Sequence, residues 1–144
     1  MSSPSDAARR SILEGLDSSD EELRRLAVEG LRLLPVSEAA PQLAECLGDE
    51  GWRVRKAAVE GLVAYREDPF VQDRLVESLA DGENPGRRNS AFEALVACGS
   101  RVTSRLVREL DNHDPDVRKL VVDGLAAIGD PTARVALTAA IGDP

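Results

Sequence analysis

Aromatic residues are nearly missing from this chain of 144 residues: one Trp, one Tyr and two Phe, 3% in all. A β-sandwich draws its core from aromatic and β-branched side chains, and the shortage argues against one. No segment alternates apolar and polar residues with period two, so no strand is expected. A single His and two Cys leave no zinc-binding set, because Cys46 and Cys98 stand in no C-x-x-C pair. Both fall among apolar neighbours on expected helices and read as small buried hydrophobes. No apolar run approaches a membrane span. The first twenty residues, MSSPSDAARRSILEGLDSSD, lack the apolar centre of a signal peptide. A cytoplasmic protein is the expectation.

Positive charge is also in short supply. Eighteen Lys and Arg face 26 Asp and Glu, for a net charge of −8. Phosphate binding needs clustered cations, so neither nucleic acid nor an anionic membrane surface is an expected partner. The densest basic region, Arg87-Arg88 with Arg101, Arg105 and Arg108, offers only a weak local patch. G-x-S-x-G, H-E-x-x-H, Walker and G-x-G-x-x-G motifs are all missing, and no catalytic residue, metal site or cofactor is expected. The lone His113, in DNHDPD, reads as a solvated turn residue.

What the sequence does have is a repeat. Residues 117–125 read VRKLVVDGL, residues 54–62 read VRKAAVEGL and residues 23–31 read LRRLAVEGL. Aligned on their Arg, these copies bring Arg24, Arg55, Arg88 and Arg118 into register, at spacings of 31, 33 and 30 residues. Six residues later stand Gly30, Gly61, Ala94 and Gly124, then Leu31, Leu62, Leu95 and Leu125. A second pattern fills each gap. Leu43 and Leu47, Leu75 and Leu79, Leu106 and Leu110, and Leu137 and Ile141 are each four apart. Each pair makes a stripe on one helical face. Ile12, Leu13 and Leu16 match this second helix alone.

The punctuation fits helix pairs. Asp20, Asn84-Pro85 and Asp114-Pro115 are N-cap signals for first helices, and Asp68-Pro69 and Asp130-Pro131 for second ones. Gly99 and Gly129 read as helix stops. Gly inside a helix costs about 1 kcal/mol relative to Ala. Its recurrence at one repeat position therefore implies close approach of neighbouring helices. No single pair can bury its apolar face, and stacked copies supply each other's walls. The expected organisation is a disordered segment over 1–5 and one repeat domain over 6–144. That domain holds a lone capping helix over 6–16 and four pairs over about 17–48, 49–80, 81–110 and 111–144.

These residues resemble the HEAT repeat, above all its short bacterial form, also found in phycobilin lyases. The clearest matches are residues 47–62, LGDEGWRVRKAAVEGL, and residues 110–131. The resemblance implies an all-α, right-handed α-α superhelix. First helices line its convex side, and second helices line a concave groove where protein partners bind. It also implies a structural role for Arg24, Arg55, Arg88 and Arg118, bonded to acidic or carbonyl groups of adjacent repeats. Trp52, at the start of a first helix, is implied to pack over the adjoining turn.

The functional expectation is a non-catalytic protein-binding scaffold. Its free second-helix face carries Gln42, Glu45, Asp73, Arg74, Glu77, Arg105 and Arg108. This mixed-charge face suits a charged protein segment and is poor for a small apolar ligand. The last second helix differs, with Val135, Ala136, Ala139 and Ala140 outside its stripe and almost no charge. Terminal repeats normally show a polar outer face. Something is therefore expected to pack on this end: a further repeat, a dimer mate or another protein. Two alternative readings are a bilin-lyase subunit and the docking arm of a larger multidomain protein.

Overall fold

A computed structural model describes residues 5–142, and all regular structure among them is helical. The helices are α1 (Asp6–Gly15), α2 (Glu21–Gly30), α3 (Val36–Cys46), α4 (Trp52–Ala64), α5 (Pro69–Ser78), α6 (Pro85–Cys98), α7 (Thr103–Arg108), α8 (Pro115–Ile128) and α9 (Arg134–Gly142). Short 3-10 turns follow α2, α6, α7 and α8.

The helix starts are chemical. Asp20 Oδ1 accepts from the Glu22 and Leu23 amides at 2.8 and 3.3 Å. Asp68, Asn84 and Asp114 do the same for α5, α6 and α8, at 2.8 to 3.0 Å. Each side chain satisfies an amide that the first helical turn leaves without a partner, and a Pro follows at the next position in all three. Gly99 and Gly129 take positive φ, 70° and 72°, where a Cβ would be strained, and end α6 and α8.

Helices α2, α4, α6 and α8 pack each on the next in one row, and α3, α5 and α7 form a second row. Each second helix also lies against the first helix of the following repeat, as α3 does on α4. Leucines at the repeat positions fill the seam: Leu31, Leu43, Leu62, Leu75, Leu95, Leu106 and Leu125 are all fully buried. One apolar core runs without interruption from Val28 to Ala133.

Three local expectations need correction. Ser5 is not part of a disordered leader: its Oγ accepts from the Ala8 amide at 3.1 Å and caps α1. Residues 1–4, and Asp143 and Pro144, lie outside the described residues. Leu110 leaves the helix it was assigned to, because α7 ends at Arg108 and a 3-10 turn takes over. No Asp-Pro or Asn-Pro start separates α6 from α7, and the chain passes between them through a 3-10 turn over Gly99–Val102. Ile141 does not share the burial of Leu47 and Leu79, its repeat counterparts. It is 69% exposed, since among the described residues no first helix packs on α9.

Candidate functional site

The seam leucines also set the outward side chains. Leu43, Leu75 and Leu106 are buried at equivalent places on α3, α5 and α7. The residues two positions later, Glu45, Glu77 and Arg108, therefore occupy one row of the second-helix face, and all three are exposed. The residues one position earlier, Gln42, Arg74 and Arg105, form an adjacent row.

Four of the seven expected site residues converge. Asp73 and Glu77 from α5, with Arg105 and Arg108 from α7, line a shallow groove of about 220 Å³ with Val76 and Glu109. Asp73 Oδ1 accepts from Arg105 Nε at 2.7 Å and ties the two repeats together across the groove. Arg74 sits alongside, its guanidinium 3.2 Å from Glu77. Arg108 has no carboxylate within ion-pair distance among the described residues and stands as the open cation of the site. Gln42 and Glu45 are not brought into this groove. Glu45 leans toward Arg87 at 3.7 Å, and Gln42 is exposed on α3.

The basic region around Arg87-Arg88 is dispersed into structural bonds. Arg87 donates to the carbonyls of Ala44 and Glu45, at 2.7 and 3.1 Å, and Arg88 to that of Leu79 at 2.9 Å. Arg101 pairs with Glu67 at 3.0 Å.

The recurring Arg hold turns. Arg24, Arg55 and Arg118 each donate to the carbonyl six residues earlier, of Ser18, Asp49 and Asn112, at 2.7 to 3.0 Å. The guanidinium thus clamps the loop that leads into its own helix. Arg24 also reaches the next repeat, forking onto both Asp49 carboxylate oxygens at 3.0 and 3.1 Å. Arg88 holds a carbonyl nine residues back, since its repeat is longer.

Trp52 differs from its implied packing. Its ring is exposed, with the Arg53 guanidinium 5.5 Å from the centroid, and it borders a polar cleft with Arg55, Gly86 and Glu93. At the far end, Val135, Ala139 and Ala140 are exposed while Ala136 is half-buried. Sequence reasoning missed a small apolar depression of about 280 Å³ between the starts of α3 and α5, lined by Val36, Ala40, Pro41 and Phe70. The proline inside α3 and the Phe after Asp68-Pro69 were its only signals.

Both thiols are held neutral. Burial pushes the Cys46 thiol up to about 12, aided by Asp49 and Glu45, and burial also raises Cys98. Neither is poised as a nucleophile. No three metal-ligating side chains cluster among the described residues. None of the described helices is long and apolar enough to cross a membrane.

Repeated helix pairs, two stacked rows and a continuous core define the class: an α-α solenoid. The sequence pattern of the HEAT repeats matches residues 9–96. The chain belongs to the HEAT-repeat family. No curated protein matches it. One solved structure similar to it is that of an engineered protein, 18% identical, with a TM-score of 0.49 over 96% of this chain and 69% of that one.

Proposed function

We propose that this chain is a non-catalytic scaffold that binds a segment of another protein along its second-helix face, centred on the groove between α5 and α7. One observation carries the reading. Charged side chains from two repeats, Asp73, Glu77, Arg105 and Arg108, meet on one solvent-open groove carried by helices that buried Leu75 and Leu106 anchor to the core. HEAT repeats generally serve protein–protein interaction, which fits the same reading. Such a groove is too polar and shallow to enclose an apolar ligand. Its specificity comes from charge placement, with Arg108 free to take a partner carboxylate and Glu77 at the edge for a partner cation. Two free thiols suit a reducing, cytoplasmic setting.

The test is comparative capture from the native cell extract at low and moderate salt. The parent chain is run beside a Glu77→Lys/Arg108→Glu variant whose circular dichroism matches it. A protein retained by the parent, released by moderate salt and lost from the variant supports the groove. Equal retention by both sinks it.

A second surface has its own observation. Val135 is 81% exposed on α9, beside Ala139, Ala140 and Ile141. This end is proposed to pack against a further repeat, a dimer mate or another protein. Val135→Glu, with no effect on groove binding, separates the two surfaces.

A further inference from the structure

The first helix of the first-helix row carries leucines where later repeats carry buried contacts. On α2, Arg24, Val28 and Leu31 face inward and are buried. Ala27 and Gly30 face α1: a Cβ on Gly15 would lie 2.9 Å from Ala27 Cβ, and one on Gly30 would lie 3.1 Å from Ile12. Bordering that contact, Leu23, Leu26 and, just past the helix, Leu33 fall on one stripe by helical spacing. Leu23 and Leu26 are 52% and 48% exposed. Their repeat counterparts on α4, Val54 and Ala57, are 0% and 6% exposed, in the helix that α2 packs against. The solenoid thus uses these positions for helix-on-helix contact, and α2 has the larger side chains there. Among the described residues α1 flanks them, and no first helix packs on them as α2 packs on α4.

The charges beside the stripe specify what fits. Glu22, Arg25, Glu29 and Arg32 run along one edge of it, at helical spacings of three and four. Arg25 is held by Glu22 and Glu29 of its own helix, at 2.5 and 2.6 Å. Arg32 has no acid within ion-pair distance among the described residues. An antiparallel copy of the same helix, related by a two-fold axis at the level of Ala27, answers this pattern. It sets Glu22 opposite Arg32 of the second copy and Arg25 opposite Glu29 of the second copy. The same axis brings Leu26 against Leu26 of the second copy, and Leu23 against its Gly30–Leu33 segment. A parallel copy would put the two charged edges on opposite sides of the contact, where they could not pair. The stripe is therefore self-complementary in one orientation, as an isologous interface requires.

We propose that two copies of this chain pair through α2, antiparallel and two-fold symmetric, at the opposite end of the solenoid from α9. One helix per protomer makes a small interface, below about 1,200 Å², so the dimer is concentration-dependent. Sedimentation equilibrium of the full chain over a wide concentration range tests it. The expected mass rises from the 15.4 kDa of one chain toward twice that. Leu26→Glu, at a half-exposed position that leaves the circular dichroism unchanged, weakens pairing about tenfold or more. Arg32→Glu weakens it less, and Glu22→Arg/Arg32→Glu restores it. Val135→Glu leaves it intact. A parent that stays monomeric throughout overturns the proposal. So does a Leu26→Glu chain that pairs like the parent, a charge swap that fails to rescue, or pairing lost only with Val135→Glu.

Discussion

Gly61 and Gly124 stand at the same repeat position but fill different roles. A Cβ on Gly61 would meet Leu43 Cδ2 at 2.9 Å and Cδ1 at 3.1 Å, so the methyls of a fully buried side chain would have to shift within the core. On Gly124 the nearest atoms are Phe92 Cε2 at 3.5 Å and Leu106 Cδ1 at 4.0 Å, ordinary contacts. Gly61→Ala is expected to destabilise by about 1–3 kcal/mol through overpacking. Gly124→Ala is expected to stabilise by up to about 1 kcal/mol through helix propensity. Urea unfolding of the two variants checks the opposite signs. The recurrence of Gly was legible in the sequence. That only some copies are sterically required was not, because the answer depends on which side chain lies across the seam. Cys46 adds a pH effect. The folded thiol titrates near 12, against an ordinary value of 9.0. Between those values the unfolded chain releases a proton that the folded chain keeps, so stability falls as pH rises through this window and is whole below it. The urea midpoint of the parent should decline from pH 9 to 11, and Cys46→Ala should flatten part of that slope.

A clamp joins non-adjacent elements at the irregular third pair. The last carbonyls of α3 lose their regular helical partners and keep only the tighter three-residue bonds of the helix end. Arg87, at the start of α6, donates to two of them, those of Ala44 and Glu45, and the cap residue Asn84 donates to Gly48 just past the helix, at 2.7 to 3.1 Å. The cation also lies at the negative end of the α3 dipole, where it is favourable. Arg87→Met keeps the apolar stem but removes the donors. It is expected to speed amide exchange in the last turn of α3 while leaving the last turn of α5 unchanged. Equal exchange in parent and variant would show that the clamp adds nothing. The caps Asp20, Asp68, Asn84 and Asp114 were readable in the sequence because capping is local. Arg87 was not, since its carbonyls lie more than forty residues away and its register position is apolar in the other repeats. The groove between α5 and α7 was half readable. Helical spacing placed Asp73, Glu77, Arg105 and Arg108 on free faces, while their convergence, and the departure of Glu45 toward Arg87, needed the packing of the rows.

Because each repeat packs mainly on its neighbours, the Arg87 clamp aside, stability in this molecule is largely a chain of local couplings. Leu62 and Leu125 occupy the same register position and are both 1% exposed, so truncating either to Ala removes the same side-chain volume from a closed core. The local cost is about 2–5 kcal/mol in each case. Its reach should differ. Leu62 lies on α4, between α2 and α6, so Leu62→Ala loosens a layer that both ends lean on. It should lower amide protection from α2 through α6 and reduce the melting temperature of the whole helical signal. Leu125 lies on α8, the last of its row, with only α9 beyond it in the described chain. Leu125→Ala should release α8 and α9 as a sub-global unit while α2 and α4 keep their protection. Amide exchange resolved by segment distinguishes the two. Equal loss of protection in α2 and α4 in both variants would mean that the solenoid unfolds as a single unit. In that case, binding at the α5–α7 groove would stabilise α1 and α9 alike; with local coupling it would stabilise mainly the repeats it touches.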